Sequence, residues 1–109
     1  MGTTGLETAL AALYTGLVKP GVITLATLIE RLTAAAALFE LKTPTIAVGA
    51  EANVCLVDLE AAWRVGESGY ESRSANCCFA GRELNGRVLL TAARGAVAYR
   101  ERSFALSAA

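Results

Sequence analysis

Histidine is absent from this chain of 109 residues, and no other feature of the composition excludes more chemistry. Imidazole is the commonest metal ligand and the usual general base near neutral pH, so most metal centres and catalytic triads are removed at once. An excess of either charge is also missing. Ten Lys and Arg balance ten Asp and Glu, leaving no summed field to draw the chain to phosphate backbones or anionic lipid. Nucleic-acid binding is not expected. No uninterrupted run of ~18 apolar residues occurs, and the start MGTTGLET has neither the basic region nor the apolar core of a leader. No membrane partner is expected either. Cysteine is scarce and odd in number, and adjacent Cys77 and Cys78 do not easily pair with each other. That usage fits a reducing, cytoplasmic location. Metal binding by these thiols is not expected, because such sites use Cys-x-x-Cys and a second ligand pair, and Cys55 adds a single sulfur.

What is present is apolar surface. Hydrophobic residues make up 54% of the chain and charged residues 18%, below the ~25% charge of an ordinary soluble domain. The length leaves room for one domain, and the apolar surplus suggests a surface awaiting a partner. Leu6, Leu10, Leu13 and Leu17 recur at helical spacing and predict a helix over 6–18, stopped by Lys19-Pro20-Gly21. A second helix is predicted over 24–41: Thr24 can cap the first amides, Leu25, Leu28, Ile29 and Leu32 form its stripe, and Pro44 marks that it has ended.

Beyond Pro44 the period becomes extended. Strands are predicted near 45–48, 53–58, 87–93 and 96–100. The run Val54 to Val57 reads as buried on both faces, and Arg94-Gly95 as a hairpin turn in which glycine supplies the positive dihedral. Between them GESGYESRSAN, residues 66–76, is a polar loop near the upper length for a compact domain. The carboxylates Asp58, Glu60, Glu67 and Glu71 have no neighbouring base and read as solvated charges. Tyr14, Phe39, Trp63, Phe79 and Tyr99 are scattered as core fillers. The arginines form no tract.

Four segments, in order and at consistent spacing, carry a resemblance: GTTGLETAL at 2–10, LVKPGVITLATLIERLT at 17–33, GAEANVCLVDL at 49–59 and SRSANCCFAGRELNGRVLLTAARGAVAY at 72–99. Together they resemble the C-terminal segment of a dihydroorotase, in the amidohydrolase superfamily. The chain departs from the pattern at Met1, where an aromatic residue or proline is usual, at Asn53 in place of aspartate, at Cys78 in place of proline, and at Ala35-Ala36 in place of Asn-Pro.

The resemblance implies an α+β fold in two parts. Residues 1–43 would be the last helices of a (β/α)8 barrel, and 44–109 an incomplete antiparallel domain of β-sandwich type. It implies that the parent uses zinc to interconvert dihydroorotate and N-carbamoyl-aspartate in pyrimidine biosynthesis, with active-site groups at the C-terminal ends of the barrel strands. The family's His-x-His pair, carboxylated lysine, further histidines and last-strand aspartate all lie upstream of the matched region, so this chain holds no metal ligand and no catalytic residue of that set. Gly2 is the one binding position carried over: it matches a glycine whose missing side chain lets backbone amides approach the substrate. Glu7 matches a Gly-Leu-Glu-Thr segment and is expected to be structural, favoured by the helix dipole. Taken alone the chain is expected to be inactive, marginally stable and prone to associate. Its partner would be the missing barrel portion or a homologous subunit. The alternative is a noncatalytic binding or assembly module that docks on a partner supplying the barrel.

Overall fold

The computed structural model describes residues 2–42 and 45–101. Thr43 and Pro44, where the sequence places the joint between its two parts, lie outside the described residues, as does the tail from Arg102. The fold is α+β. Helix α1 (Ala9–Leu13) continues as a π-helical turn over Tyr14–Val18, and α2 (Leu25–Thr33) and α3 (Ala35–Leu38) follow. Strands β1 (Val54–Arg64), β2 (Glu83–Ala93) and β3 (Ala96–Arg100) then form one sheet in the order β1-β2-β3.

The first helix is shorter than its leucine spacing predicts. Leu6 is 96% exposed and lies in a turn, while the buried residue of α1 is Ala11, off the leucine stripe. The last turn widens because Lys19 N–H bonds the Tyr14 carbonyl five residues back, at 3.0 Å, a loosening that Gly16 tolerates. Thr24 caps α2 as expected, its Oγ1 accepting the Thr27 N–H at 3.1 Å.

The predicted long second helix is interrupted after Thr33 and ends at Leu38, well before Pro44. Its closure is a Schellman pattern. Leu41 N–H bonds Ala36 O, Glu40 N–H bonds Ala37 O, and Glu40 takes the left-handed conformation (φ 56°) that glycine usually fills.

A strand at 45–48 is not found. Ile46 is 93% exposed and Val48 fully so, and Ala50 N–H folds back onto Ala47 O. Two alternating apolar residues do not make a strand without a neighbour to share its backbone hydrogen bonds. Burial of 54–57 on both faces is likewise corrected, since Val54, Cys55 and Leu56 are all exposed. Strand β1 instead runs on to Arg64, with Val57, Leu59, Ala61 and Trp63 turned inward in strict alternation.

The chain divides into two compact units. One comprises the chain up to Leu32 together with Leu59–Arg87, the other Thr33–Asp58 together with the chain from Val88. In the first, Ala11, Val65, Cys77 and Leu84 form the core, with Ala12, Trp63, Tyr70 and Phe79 packed against it. Gly86 (φ 100°) lets β2 approach the helix: a Cβ there would stand 3.8 Å from Ala11 Cα. In the second unit β2 and β3 pair antiparallel, Thr91 opposite Tyr99 and Ala93 opposite Ala96. Their two-residue turn has positive φ at both Arg94 (52°) and Gly95 (78°), the type I′ geometry that matches strand twist. Asn53 Oδ1 accepts the Arg94 N–H at 3.0 Å and Ala52 O the Gly95 N–H at 3.0 Å. The acceptor that an Asp-to-Asn change retains is the atom used.

Candidate functional site

The densest set of long-range polar contacts joins the segment 2–7 to the loop 71–78, both within the first unit. Glu7 precedes α1, so it makes no helix-dipole contribution inside the first turn as the sequence suggested. Its carboxylate bonds the loop instead. Oε1 accepts the Glu71 N–H at 2.8 Å, and Oε2 accepts both the Ser72 N–H at 3.0 Å and the Ser72 hydroxyl at 2.6 Å. Thr3 Oγ1 accepts the Cys78 N–H at 2.7 Å, and Thr4 N–H bonds Asn76 O at 2.8 Å. Asn76 Nδ2 donates to Gly2 O.

Gly2, the binding position expected from resemblance, therefore stands at the outer end of this set with a positive φ of 85° and open space on its Cβ side. The left-handed backbone explains glycine there.

The Ser72 hydroxyl bond, with the two backbone N–H bonds, holds the Glu7 carboxyl below its ordinary value, against a smaller opposing effect of burial. A carboxylate already engaged by three donors and biased toward its charged form is a poor general base. Its chemistry here is to bind the backbone.

A second set lies on the same unit. Thr15 Oγ1 accepts the Asn85 N–H at 2.9 Å and donates to Asn85 O at 3.3 Å, while Lys19 Nζ reaches Asn85 Oδ1 at 2.7 Å. Trp63 Nε1 donates to Gly86 O at 2.8 Å. The Thr15 and Lys19 bonds fix the helical segment on β2, and the Trp63 bond ties β1 to it. An open depression lined by Ala62, Trp63, Arg64, Glu67 and Glu83 shares Trp63 with the second set and no residue with the first. Glu67 pairs with Arg87 at 3.8 Å. Asp58 and Glu60 lie on the exposed face of β1, well inside the strand.

Cys55 and Cys78 are exposed, Cys77 is buried, and all three are free thiols. Among the described residues no three His, Cys, Asp or Glu side chains are grouped to hold a metal. With no histidine in the chain, the donor set does not fit a zinc ion. No described helix is long and apolar enough to cross a membrane.

No family model matches the chain. Among curated proteins, it is 37% identical over 105 residues to the dihydroorotase of Lactobacillus leichmannii, covering 95% of this chain and 25% of that protein. It is 41% identical over 100 residues to the dihydroorotase of Lactiplantibacillus plantarum (90% and 23%) and 43% over 89 residues to that of Chlorobaculum tepidum (81% and 20%). The chain thus spans about a quarter of the length of the curated relatives it matches. Among solved structures, it is similar to a D-hydantoinase from Bacillus sp. AR9, with a TM-score of 0.72, 28% identity, and coverage of 88% of this chain and 22% of that one.

Proposed function

We propose, from the premise that this chain is a C-terminal dihydroorotase-like segment, that it serves a metal-dependent amidohydrolase as a noncatalytic part. The rest of the enzyme would supply the zinc ligands and the reacting groups. The assembled enzyme would interconvert dihydroorotate and N-carbamoyl-aspartate. In this reading the helical residues 9–38 are the last helices of the barrel, β1–β3 belong to an incomplete β-sandwich-type domain, and Gly2 presents backbone to the substrate. Its partner is the barrel portion, and its setting the cytoplasm.

The observation that carries the reading is the mismatch of coverage: nine-tenths of this chain aligns with only a quarter of each relative, while the chain lacks histidine altogether. The exposed apolar residues support it. Among the described residues all five buried apolar side chains, Ala11, Leu28, Val65, Cys77 and Leu84, fall in the first unit. The second has Phe39, Leu41, Ile46, Val48 and Val97 exposed, surface that another part of an enzyme would cover. No step of the zinc chemistry is assigned to residues of this chain.

The test is to assay the purified, zinc-loaded chain in both directions, alone and after co-expression with L. leichmannii dihydroorotase trimmed of the quarter that this chain matches. The chain alone should show no turnover, and co-expression should yield a co-purifying, active pair. Chelator-sensitive turnover by the chain alone would overturn the proposal, as would failure of the two parts to associate.

A further inference from the structure

The loop between β1 and β2 has a construction that the proposed role in an amidohydrolase does not require. Its base is pinned as an extension of the sheet, with Val65 N–H on Arg82 O and Gly81 N–H on Val65 O, both at 2.9 Å. Beyond that base it turns three residues inward: Tyr70 and Phe79 pack against the core, and Cys77 is part of it. The stretch that leads into Cys77 is polar and lies on the surface, with Glu71, Arg73, Ser74, Ala75 and Asn76 all exposed. Apolar burial therefore holds the loop near its two ends, and polar contacts hold its middle. Those contacts converge on one short segment. Glu7 takes three donors from two consecutive residues, and Gly2, Thr3 and Thr4 bond Asn76 and Cys78 on either side of Cys77.

We infer that residues 66–82 form a strap closed over the core at Cys77, and that Glu7 is its latch. A charged acceptor facing two adjacent backbone N–H groups and a hydroxyl is a stronger tie than neutral bonds of the same number. Its three bonds end on one side chain, so a single substitution removes them, while the Gly2, Thr3 and Thr4 bonds to Asn76 and Cys78 are separate ties. Opening the latch frees the strap at Glu71 and Ser72 and eases access to Cys77, while the sheet base at Val65 and Arg82 stays paired. Such an opening is local, of the kind that exposes one segment without unfolding the rest. Because the latch also holds segment 2–7, release would loosen Gly2. That last consequence rests on the proposed function, whereas the strap and latch rest on geometry alone.

The buried thiol reports the motion directly. In the 109-residue chain with Cys55→Ser and Cys78→Ser, an aromatic disulfide reagent reads Cys77 alone. Glu7→Gln turns an amide donor toward the loop's own donors, and should raise the labelling rate of Cys77 by on the order of tenfold. Ser72→Ala, which removes one of the three bonds, should give a smaller rise and serves as the milder variant should Glu7→Gln compromise folding. Glu67→Gln, at the strap's base and paired with Arg87, should leave the rate unchanged. The acceleration should persist with little dependence on low urea, as local opening exposes little surface. An unchanged rate in both Glu7→Gln and Ser72→Ala would overturn the latch. So would an acceleration carrying the full urea dependence of global unfolding. Neither outcome bears on whether the chain assembles with a dihydroorotase barrel.

Discussion

Truncating Leu84 to alanine tests whether the small core of the first unit carries the stability of this chain. Leu84 is 3% exposed and sits with Ala11, Val65 and Cys77, bounded by Trp63, Tyr70 and Phe79. Removing a buried leucine side chain costs ~2–5 kcal/mol, made of lost transfer energy and an incompletely collapsed cavity. Domains are stable by ~0.05–0.15 kcal/mol per residue. With five buried apolar residues among those described, and two of them no larger than cysteine, this chain belongs at the low end, near ~5 kcal/mol. Leu84→Ala should therefore remove about half of the total or more. Leu38→Ala is the control: that side chain is 77% exposed, and exposed substitutions usually stay within ~0.5 kcal/mol. Urea unfolding followed by the fluorescence of Trp63, the single tryptophan, reads the right place because its ring packs on the core and its Nε1 bonds Gly86 O. A midpoint shift for Leu84→Ala no larger than that for Leu38→Ala would refute the reasoning.

Two further outcomes follow from single residues. At Gly86 a Cβ meets only ordinary contacts, but φ is 100°, so Gly86→Ala should cost ~1–3 kcal/mol from backbone strain, and Gly86→Val more as its methyls press on Ala11 and Tyr14; equal stability of all three by thermal unfolding would contradict the geometry. The Glu7 carboxyl is lowered from about 4.5 chiefly by Ser72, so its stabilising contribution is fully present above that value and is lost as pH falls through the folded value; it is kept small by exposure to water. Unfolding midpoints measured from pH 7 to pH 3 should fall less steeply below pH 4.5 in Glu7→Gln than in the parent chain, and identical profiles would exclude the contribution.

Where the sequence carried a local physical rule, the fold was legible. Thr24 could be named as a cap because a hydroxyl before an apolar stripe has one obvious task, and the structure gives it that bond. Arg94-Gly95 could be named as a turn because positive φ favours glycine, although Arg94 also takes positive φ. Periodicity misled where it was too short or too dense. Ile46 and Val48 alternate over a span too brief to require a neighbour, while Val54 to Leu56 looked like a doubly buried run although exposed. The inward face of β1 beyond Asp58 was legible at Trp63, read as a core residue, and missed at Leu59 and Ala61 because the strand was expected to end at 58. The contacts around Glu7 were not legible at all. Glu7 and Ser72 are 65 positions apart, and nothing in either neighbourhood marks which distant amides a carboxylate will find.

Burial and polar bonding divide unequally between the two units, and this has an energetic meaning. The first unit combines every buried apolar residue among those described with the Glu7, Asn76, Asn85 and Trp63 hydrogen bonds. Its pieces come from both the first 32 residues and from Leu59–Arg87, so closing it requires ordering the chain between them, an entropy cost that rises only slowly with loop length. The second unit has the hairpin bonds of β2 and β3 and the Asn53 contact to its turn, but no buried apolar side chain among its described residues. Backbone hydrogen bonds exchanged for bonds to water contribute little net stability each, and each large apolar side chain left in water forgoes ~1.5–3 kcal/mol of burial. Ile46, Val48, Phe39 and Leu41 alone then forgo an amount comparable with the whole stability of a small domain. The described second unit therefore draws little of its stability from apolar burial.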